Sequence, residues 1–295
     1  MMSGNTRGIL AMTASMAVFV VSDSLIKLAS ESVGAAQLLF VRGLLLTPTI
    51  FIIALRMGAL NSLRASLKPK PILRMLCEGT GTFAYVIALT HIPIATALAI
   101  NMVTPLLVLP LAMWLLGERI AFRQLFAVLA GLAGVLLVLR PSVEGIDIWL
   151  LVSLASAVIF AVRDTVTRAI PRGVPTVLIL LWGVLSGAVA GGIGTGISGW
   201  RPIDLPAAGM IAGSALLVGV AMMLLIQSMR LGEVSAVSPF RYTAILCAVL
   251  SGYLVWGQLP DTMTIAGIAL IVGAGLFALA SGRFSARGRA PPASG

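Results

Sequence analysis

Charge is scarce in this chain of 295 residues: only 10% are Asp, Glu, Lys or Arg, while 59% are hydrophobic. Soluble domains carry roughly a quarter charged residues, about what a water-facing surface requires. The shortage excludes an ordinary soluble domain. Cysteine is nearly absent, and Cys77 and Cys247 both fall inside apolar runs, which excludes a disulfide framework and any C-x-x-C motif. A single histidine, His91, excludes a His-rich metal site. There is no His-Glu-x-x-His, no Gly-x-Ser-x-Gly elbow and no Gly-x-x-x-x-Gly-Lys-Ser/Thr loop. No enzymatic role, no cofactor and no direct use of ATP is therefore expected.

What the chain has in abundance is long apolar runs. A bilayer core needs about 20 apolar residues per helix, and runs of that length occupy 8–28, 34–55, 72–90, 94–116, 122–139, 147–168, 175–196, 206–229, 232–256 and 262–281. The expected fold is all-α, a polytopic membrane bundle of about ten helices. The first run carries Asp23 and Lys27 near its end and lacks a cleavage site, so it reads as a span and not a removable signal. Residues 283–295 read as a disordered basic tail.

The net charge is +10, which by itself would suit a nucleic acid. The bases sit between apolar runs and not on a patch interleaved with aromatics, so topology explains them better than DNA or RNA binding. With the N-terminus cytoplasmic, that side holds Arg7, Arg56, Arg64, Lys68, Lys70, Arg74, Arg119, Arg123, Arg168, Arg172, Arg230, Arg283, Arg287 and Arg289. Only Lys27, Arg140 and Arg201 fall on the other side. The positive-inside rule then places both termini in the cytoplasm, for a bacterial inner-membrane protein.

Two stretches repeat. Phe19-Val20-Val21-Ser22-Asp23-Ser24 aligns with Phe160-Ala161-Val162-Arg163-Asp164-Thr165, and Leu116-Gly117-Glu118 with Trp256-Gly257-Gln258, at offsets of 141 and 140. Five helices per copy is an odd number, so the copies, 1–140 and 141–282, would insert upside down relative to each other. Inverted repeats are how many secondary transporters alternate access. Gly183, Gly187 and Gly191 recur every four residues, as do Ala130 with Gly134 and Gly209 with Gly213, a spacing that lets helices approach closely in lipid. Pro48, Pro105, Pro110 and Pro239 fall inside spans, where each is expected to break the hydrogen-bond ladder and free a backbone carbonyl; Pro105 and Pro239 lie in spans four and nine, equivalent by the repeat.

Six charges lie within spans: Asp23, Arg42, Glu78, Arg163, Asp164 and Arg241. Each costs roughly 2.5–3.5 kcal/mol at mid-membrane if left alone, so each needs a partner or water. By depth, Asp23 pairs with Arg42, while Glu78, Arg163, Asp164 and Arg241 lie toward the cytoplasmic side. Arg241 sits between two aromatics in Ser238-Pro239-Phe240-Arg241-Tyr242, which suits a planar or carboxylate-bearing guest. Tyr85 and Asn101 are further polar groups inside spans. Glu118 is expected as a surface cap or loop salt bridge, and His91 as a solvated loop residue.

The stretch Ala88-Leu89-Thr90-His91-Ile92-Pro93-Ile94-Ala95-Thr96-Ala97, then Thr104-Pro105-Leu106, Leu115-Leu116-Gly117-Glu118-Arg119 and Gly131-Leu132-Ala133-Gly134-Val135, resembles the EamA-type branch of the drug/metabolite transporters. Gln258 departs from that pattern where the second copy would carry glutamate. Within the superfamily, Ser22-Asp23-Ser24-Leu25-Ile26-Lys27, Phe40-Val41-Arg42-Gly43 and Ser238-Pro239-Phe240-Arg241-Tyr242 followed by Leu259-Pro260-Asp261 are similar to the riboflavin and S-adenosylmethionine uptake branches.

The resemblance implies a secondary transporter of a small metabolite. Arg42, Glu78, Tyr85, Asn101, Arg241 and Tyr242 are then the expected substrate contacts, and Asp23, Asp164 and Arg163 the gating or ion pairs. Riboflavin uptake is preferred because a flavin ring suits stacking on aromatics and arginine and the intramembrane charges sum to zero. S-adenosylmethionine uptake and metabolite export are the alternatives. The expected partners are the substrate and the bilayer, with a homodimer left open.

Overall fold

The structure, a computed structural model, describes residues 4–117, 122–139, 147–171, 173–232 and 234–287. Every regular element among them is helical. In chain order these are α1 (Gly4–Ala29), α2 (Ala35–Arg56), a 3-10 turn (Ala59–Ser62), α3 (Leu63–Ser66), α4 (Pro69–His91), α5 (Ile94–Asn101), α6 (Thr104–Leu116) and α7 (Phe122–Leu139). Then come α8 (Ile148–Arg168), α9 (Thr176–Ser198), α10 (Leu205–Leu231), α11 (Val234–Val237), a second 3-10 turn (Ser238–Tyr242), α12 (Thr243–Trp256) and α13 (Thr262–Arg287). Ten of the resulting segments are long and apolar enough to cross a bilayer; α5 and α6 together make the fourth, and the second 3-10 turn with α12 makes the ninth. The chain is a multi-pass membrane protein.

In lipid every backbone polar group has to be satisfied internally, which favours helices wherever the chain crosses. Where they start is set by a few polar residues. Asp147, Asp204 and Asp261 stand just before α8, α10 and α13 and accept from the backbone N–H of Trp149 (2.8 Å), Ala207 (2.8 Å) and Thr264 (2.9 Å). These caps satisfy orphan amides and put negative charge at the positive end of the helix dipole. Two helices end alike: Gly117 after α6 and Gly257 after α12 adopt left-handed φ values of 67° and 66°, which glycine does without a Cβ clash.

The fourth span breaks after Asn101. Pro105 has no N–H to give the Asn101 carbonyl, and α6 restarts with proline in its first turn, where the missing donor costs nothing. Pro239 likewise opens the 3-10 turn of the ninth span. The last helix continues to Arg287, past the expected end at 281 and into the segment 283–295 read as a disordered tail. No proline interrupts it before Pro291. The remainder of that tail, 288–295, lies outside the described residues, as does Glu118.

Helices from the two halves of the sequence pack against each other: α1 along α10, α2 along α9, α4 along α8 and α9, and α7 along α13. Glycine sets the closeness. A Cβ on Gly191 would come within 2.6 Å of the Phe40 nitrogen and 2.7 Å of the Ala36 carbonyl oxygen, and one on Gly134 within 2.8 Å of the Gly267 carbonyl oxygen. Gly209, given the same expectation, has nothing within 4 Å, so its spacing marks no contact. Outward, residues such as Trp114, Phe122, Ile197 and Leu205 are about four-fifths or more exposed, an apolar girdle suited to lipid.

With ten crossings, Gly4 and Arg287, where the first and last described helices begin and end, lie at one end. We name the two ends after residues they carry, the Arg74 end and the Lys27 end.

Candidate functional site

The intramembrane charges gather in two groups built differently. Toward the Arg74 end, α4 and α8 hold a closed network. Arg74 Nη2 lies 3.1 Å from Glu78 Oε2, one helical turn away, and Arg163 Nη1 donates to Glu78 Oε1 at 3.2 Å. Arg163 also grips Asp164 Oδ1 through Nε and Nη2, each at 2.8 Å. Its guanidinium sits 4.5 Å from the centre of the Phe160 ring. Arg74 reaches on to Thr167 Oγ1 at 3.2 Å and the Ile179 carbonyl of α9 at 3.4 Å. Two bases meet two acids here at hydrogen-bond distance, so the group neutralises itself.

The second group stays open. Tyr85 of α4 donates from Oη to Asp23 Oδ2 of α1 at 2.9 Å. Arg42 of α2 faces both and interacts with them electrostatically, yet forms no hydrogen bond and no ion pair within 4 Å among the described residues. The direct Asp23–Arg42 pair expected from depth is not formed; Asp23 accepts from the tyrosine hydroxyl on one oxygen and keeps the other open among the described residues. All three side chains are partly buried.

The remaining expected contacts are dispersed. Asn101, at the break in the fourth span, donates to Ala97 O (3.2 Å) and Ser156 Oγ of α8 (3.3 Å). Arg241 is exposed, with no hydrogen bond or ion pair among the described residues. Tyr242 turns the other way, buried against Gly275 of α13, and its hydroxyl has no hydrogen-bond partner among the described residues. Glu78 joins the closed group, so the structure brings Arg42 and Tyr85 together with Asp23 and leaves the other four elsewhere.

Several residues were missed in the sequence. Lys27, counted as an outside base, is buried; its Nζ donates to the Leu89 carbonyl (2.9 Å) and the Ile92 carbonyl at the end of α4, and lies 5.5 Å from the Trp256 ring centre. Its position in the last turn of α1 was the available signal. His91, read as a solvated loop residue, is exposed but ends α4 and stacks on Trp149 at 3.6 Å between ring centres and 12° between planes. Arg74, counted among the cytoplasmic bases, pairs with Glu78 at a four-residue spacing that was legible. Ser24 and Ser251 share a hydrogen bond of 2.6 Å between α1 and α12.

Among the described residues no three His, Cys, Asp or Glu side chains are grouped to hold a metal ion. A cleft of about 150 Å³ opens at the Lys27 end, lined among others by Pro93, Gln258, Pro260, Asp261 and Thr264. None of the expected site residues lines it.

A bundle of ten spans with bonded and unbonded charges in its interior has the make-up of a membrane transporter. The sequence agrees: residues 6–140 and 147–280 each match the EamA-like transporter family, and the chain belongs to it. Among similar proteins are the pseudopaline exporter CntI of Pseudomonas aeruginosa, 28% identical over 270 residues (90% of this chain, 93% of that one). An S-adenosylmethionine uptake transporter of Rickettsia bellii is 25% identical over 224 residues, covering 75% of this chain and 76% of the other. A riboflavin transporter of Rhizobium johnstonii is 27% identical over 227 residues, covering 75% and 73%. One solved crystal structure superposes with a TM-score of 0.61 at 22% identity, over 97% of this chain and 99% of its own, a likeness of fold.

Proposed function

We propose that this chain is a secondary transporter of a small charged metabolite, working in the bacterial inner membrane by alternating access of two inverted five-helix halves. The Arg74 end and both termini are cytoplasmic, where the positive-inside rule puts the bases. The observation that carries the reading is the unbonded Arg42 beside Asp23 and Tyr85 inside the bundle. An intramembrane charge is costly when left without a partner, so one that is held open marks a substrate path.

The family match, twice over with nearly equal lengths, supports the two halves. So does the packing. The most extensive packing between the halves pairs spans one and eight, three and six, one and nine, four and six, two and eight, and three and seven, beside two with seven, five with ten and four with nine, and exchanging spans one to five for six to ten returns the same set. Each end carries its own tie between the halves. At the cytoplasmic end it is Glu78 with Arg163, extended by Asp164; at the other end it is Ser24 with Ser251, His91 with Trp149 and Lys27 with Trp256. Releasing one tie while the other holds would expose Asp23, Arg42 and Tyr85 to one side at a time.

Riboflavin, the expected cargo, was preferred on two grounds. A flavin ring suits stacking on aromatics and arginine, for which Arg241 with its aromatic neighbours was the candidate, and the intramembrane charges sum to zero, which still holds. With Arg241 exposed and Tyr242 packed on Gly275, the stacking ground loses its support, and a charged cargo fits the Asp23–Arg42 group better. The similar proteins named for pseudopaline export and S-adenosylmethionine uptake leave direction open. The test is flux of labelled S-adenosylmethionine, riboflavin and pseudopaline in both directions across proteoliposomes. Saturable flux of one cargo, lost in Arg42→Ala while the protein still inserts, is the expected result. Full flux in Arg42→Ala refutes the site, and no flux of any cargo counts against the transport reading.

A further inference from the structure

The two charged groups answer the same problem in opposite ways, and the contrast says what the open one is for. Arg163, Glu78, Arg74 and Asp164 close on each other at 2.8–3.2 Å. A guanidinium and a carboxylate that served only to offset each other's charge would do the same in the first group, since unpaired intramembrane charges are costly. Instead Arg42 keeps its donors unbonded, while Asp23 accepts from a neutral hydroxyl. Lys27, one turn along α1 from Asp23, is committed to the Leu89 and Ile92 carbonyls and supplies no countercharge.

Resting on the transport reading above, we propose that the Asp23–Arg42–Tyr85 group binds the α-amino-acid end of the cargo, its carboxylate on Arg42 and its ammonium on Asp23. The guanidinium fork matches a carboxylate with two parallel hydrogen bonds. The free oxygen of Asp23 accepts from an ammonium, and Tyr85 holds the carboxylate in place from the α4 side. A zwitterion completes both charges at once and adds no net charge to the span. The recognised class is therefore metabolites that carry a free amino-acid terminus, with the rest of the molecule setting finer specificity elsewhere.

The experiment compares binding of S-adenosylmethionine, its decarboxylated analogue and riboflavin to the full chain in lipid nanodiscs. The analogue keeps the sulfonium and the adenosine and lacks only the carboxylate, so the wild-type comparison needs no folded variant. A charge-assisted hydrogen-bond pair should favour S-adenosylmethionine by about tenfold or more. That ratio should fall to near one in Arg42→Gln and recover in part in Arg42→Lys; Asp23→Asn should weaken both amine-bearing ligands together. Equal binding of S-adenosylmethionine and its analogue overturns the proposal, as does binding of riboflavin alone. No binding of any ligand also overturns it, and the proteoliposome flux assay then decides the transport reading separately.

Discussion

Single residues here differ most in whether their polar groups are bonded. Tyr242 is buried with an unpartnered hydroxyl, and leaving such a group unmade costs about 1–3 kcal/mol. Tyr242→Phe should therefore be neutral or raise stability by up to about 1 kcal/mol, read as an unchanged or higher melting temperature in detergent. A clear loss of stability would show that the hydroxyl has a partner in the membrane. Glu78 behaves oppositely because it serves two arginines. Its removal leaves Arg74 without a bonded acid among the described residues and Arg163 with Asp164 alone, and the group is 12–37% exposed, so the cost should fall below the 3–5 kcal/mol of fully buried pairs. Glu78→Gln should destabilise by about 1–3 kcal/mol in chemical unfolding, and Glu78→Asp by less. At this scale the sequence showed which charges lie in spans and, through the four-residue spacing, that Arg74 could reach Glu78. It did not show that Asp23 bonds Tyr85 and not the Arg42 that depth suggested, since the rotation of three helices about their own axes decides which side chains meet there.

At the scale of elements, small residues decide how near two helices come. Gly191 faces the backbone of α2, where no flexible side chain can move aside. Gly191→Ala should cost about 1–3 kcal/mol by overpacking, whereas Gly209→Ala, with nothing within 4 Å, should be silent. Equal melting temperatures for the two variants would contradict the α2–α9 packing. The four-residue glycine spacing in α9 was readable; of the four intramembrane prolines, Pro105 and Pro239 stand at breaks, while Pro48 and Pro110 leave α2 and α6 continuous. Which glycine has a neighbour was not readable: Gly209 and Gly191 look alike in one dimension.

For the whole molecule, alternating access requires that the ties at the Lys27 end open during turnover. Ser24 and Ser251 lie in opposite halves with oxygens 2.6 Å apart. In a background with Cys77 and Cys247 replaced by alanine, Ser24→Cys/Ser251→Cys should cross-link on oxidation and stop flux, with activity restored by reductant. Continued flux in the cross-linked protein would mean that this end does not gate.

The sequence by itself determined the class and the ten crossings, because bilayer thickness and backbone hydrogen bonding act locally along the chain. It also carried the duplicated family match at 6–140 and 147–280. Tertiary structure alone decided which charges close and which stay open. Arg163 finds Glu78 across 85 residues and Tyr85 finds Asp23 across 62, while Arg42 is left without a bonded partner. Those distances along the chain hold no periodicity to read; only the packing of α1, α2, α4 and α8 brings the groups within reach, and short-range electrostatics then sets the pairing.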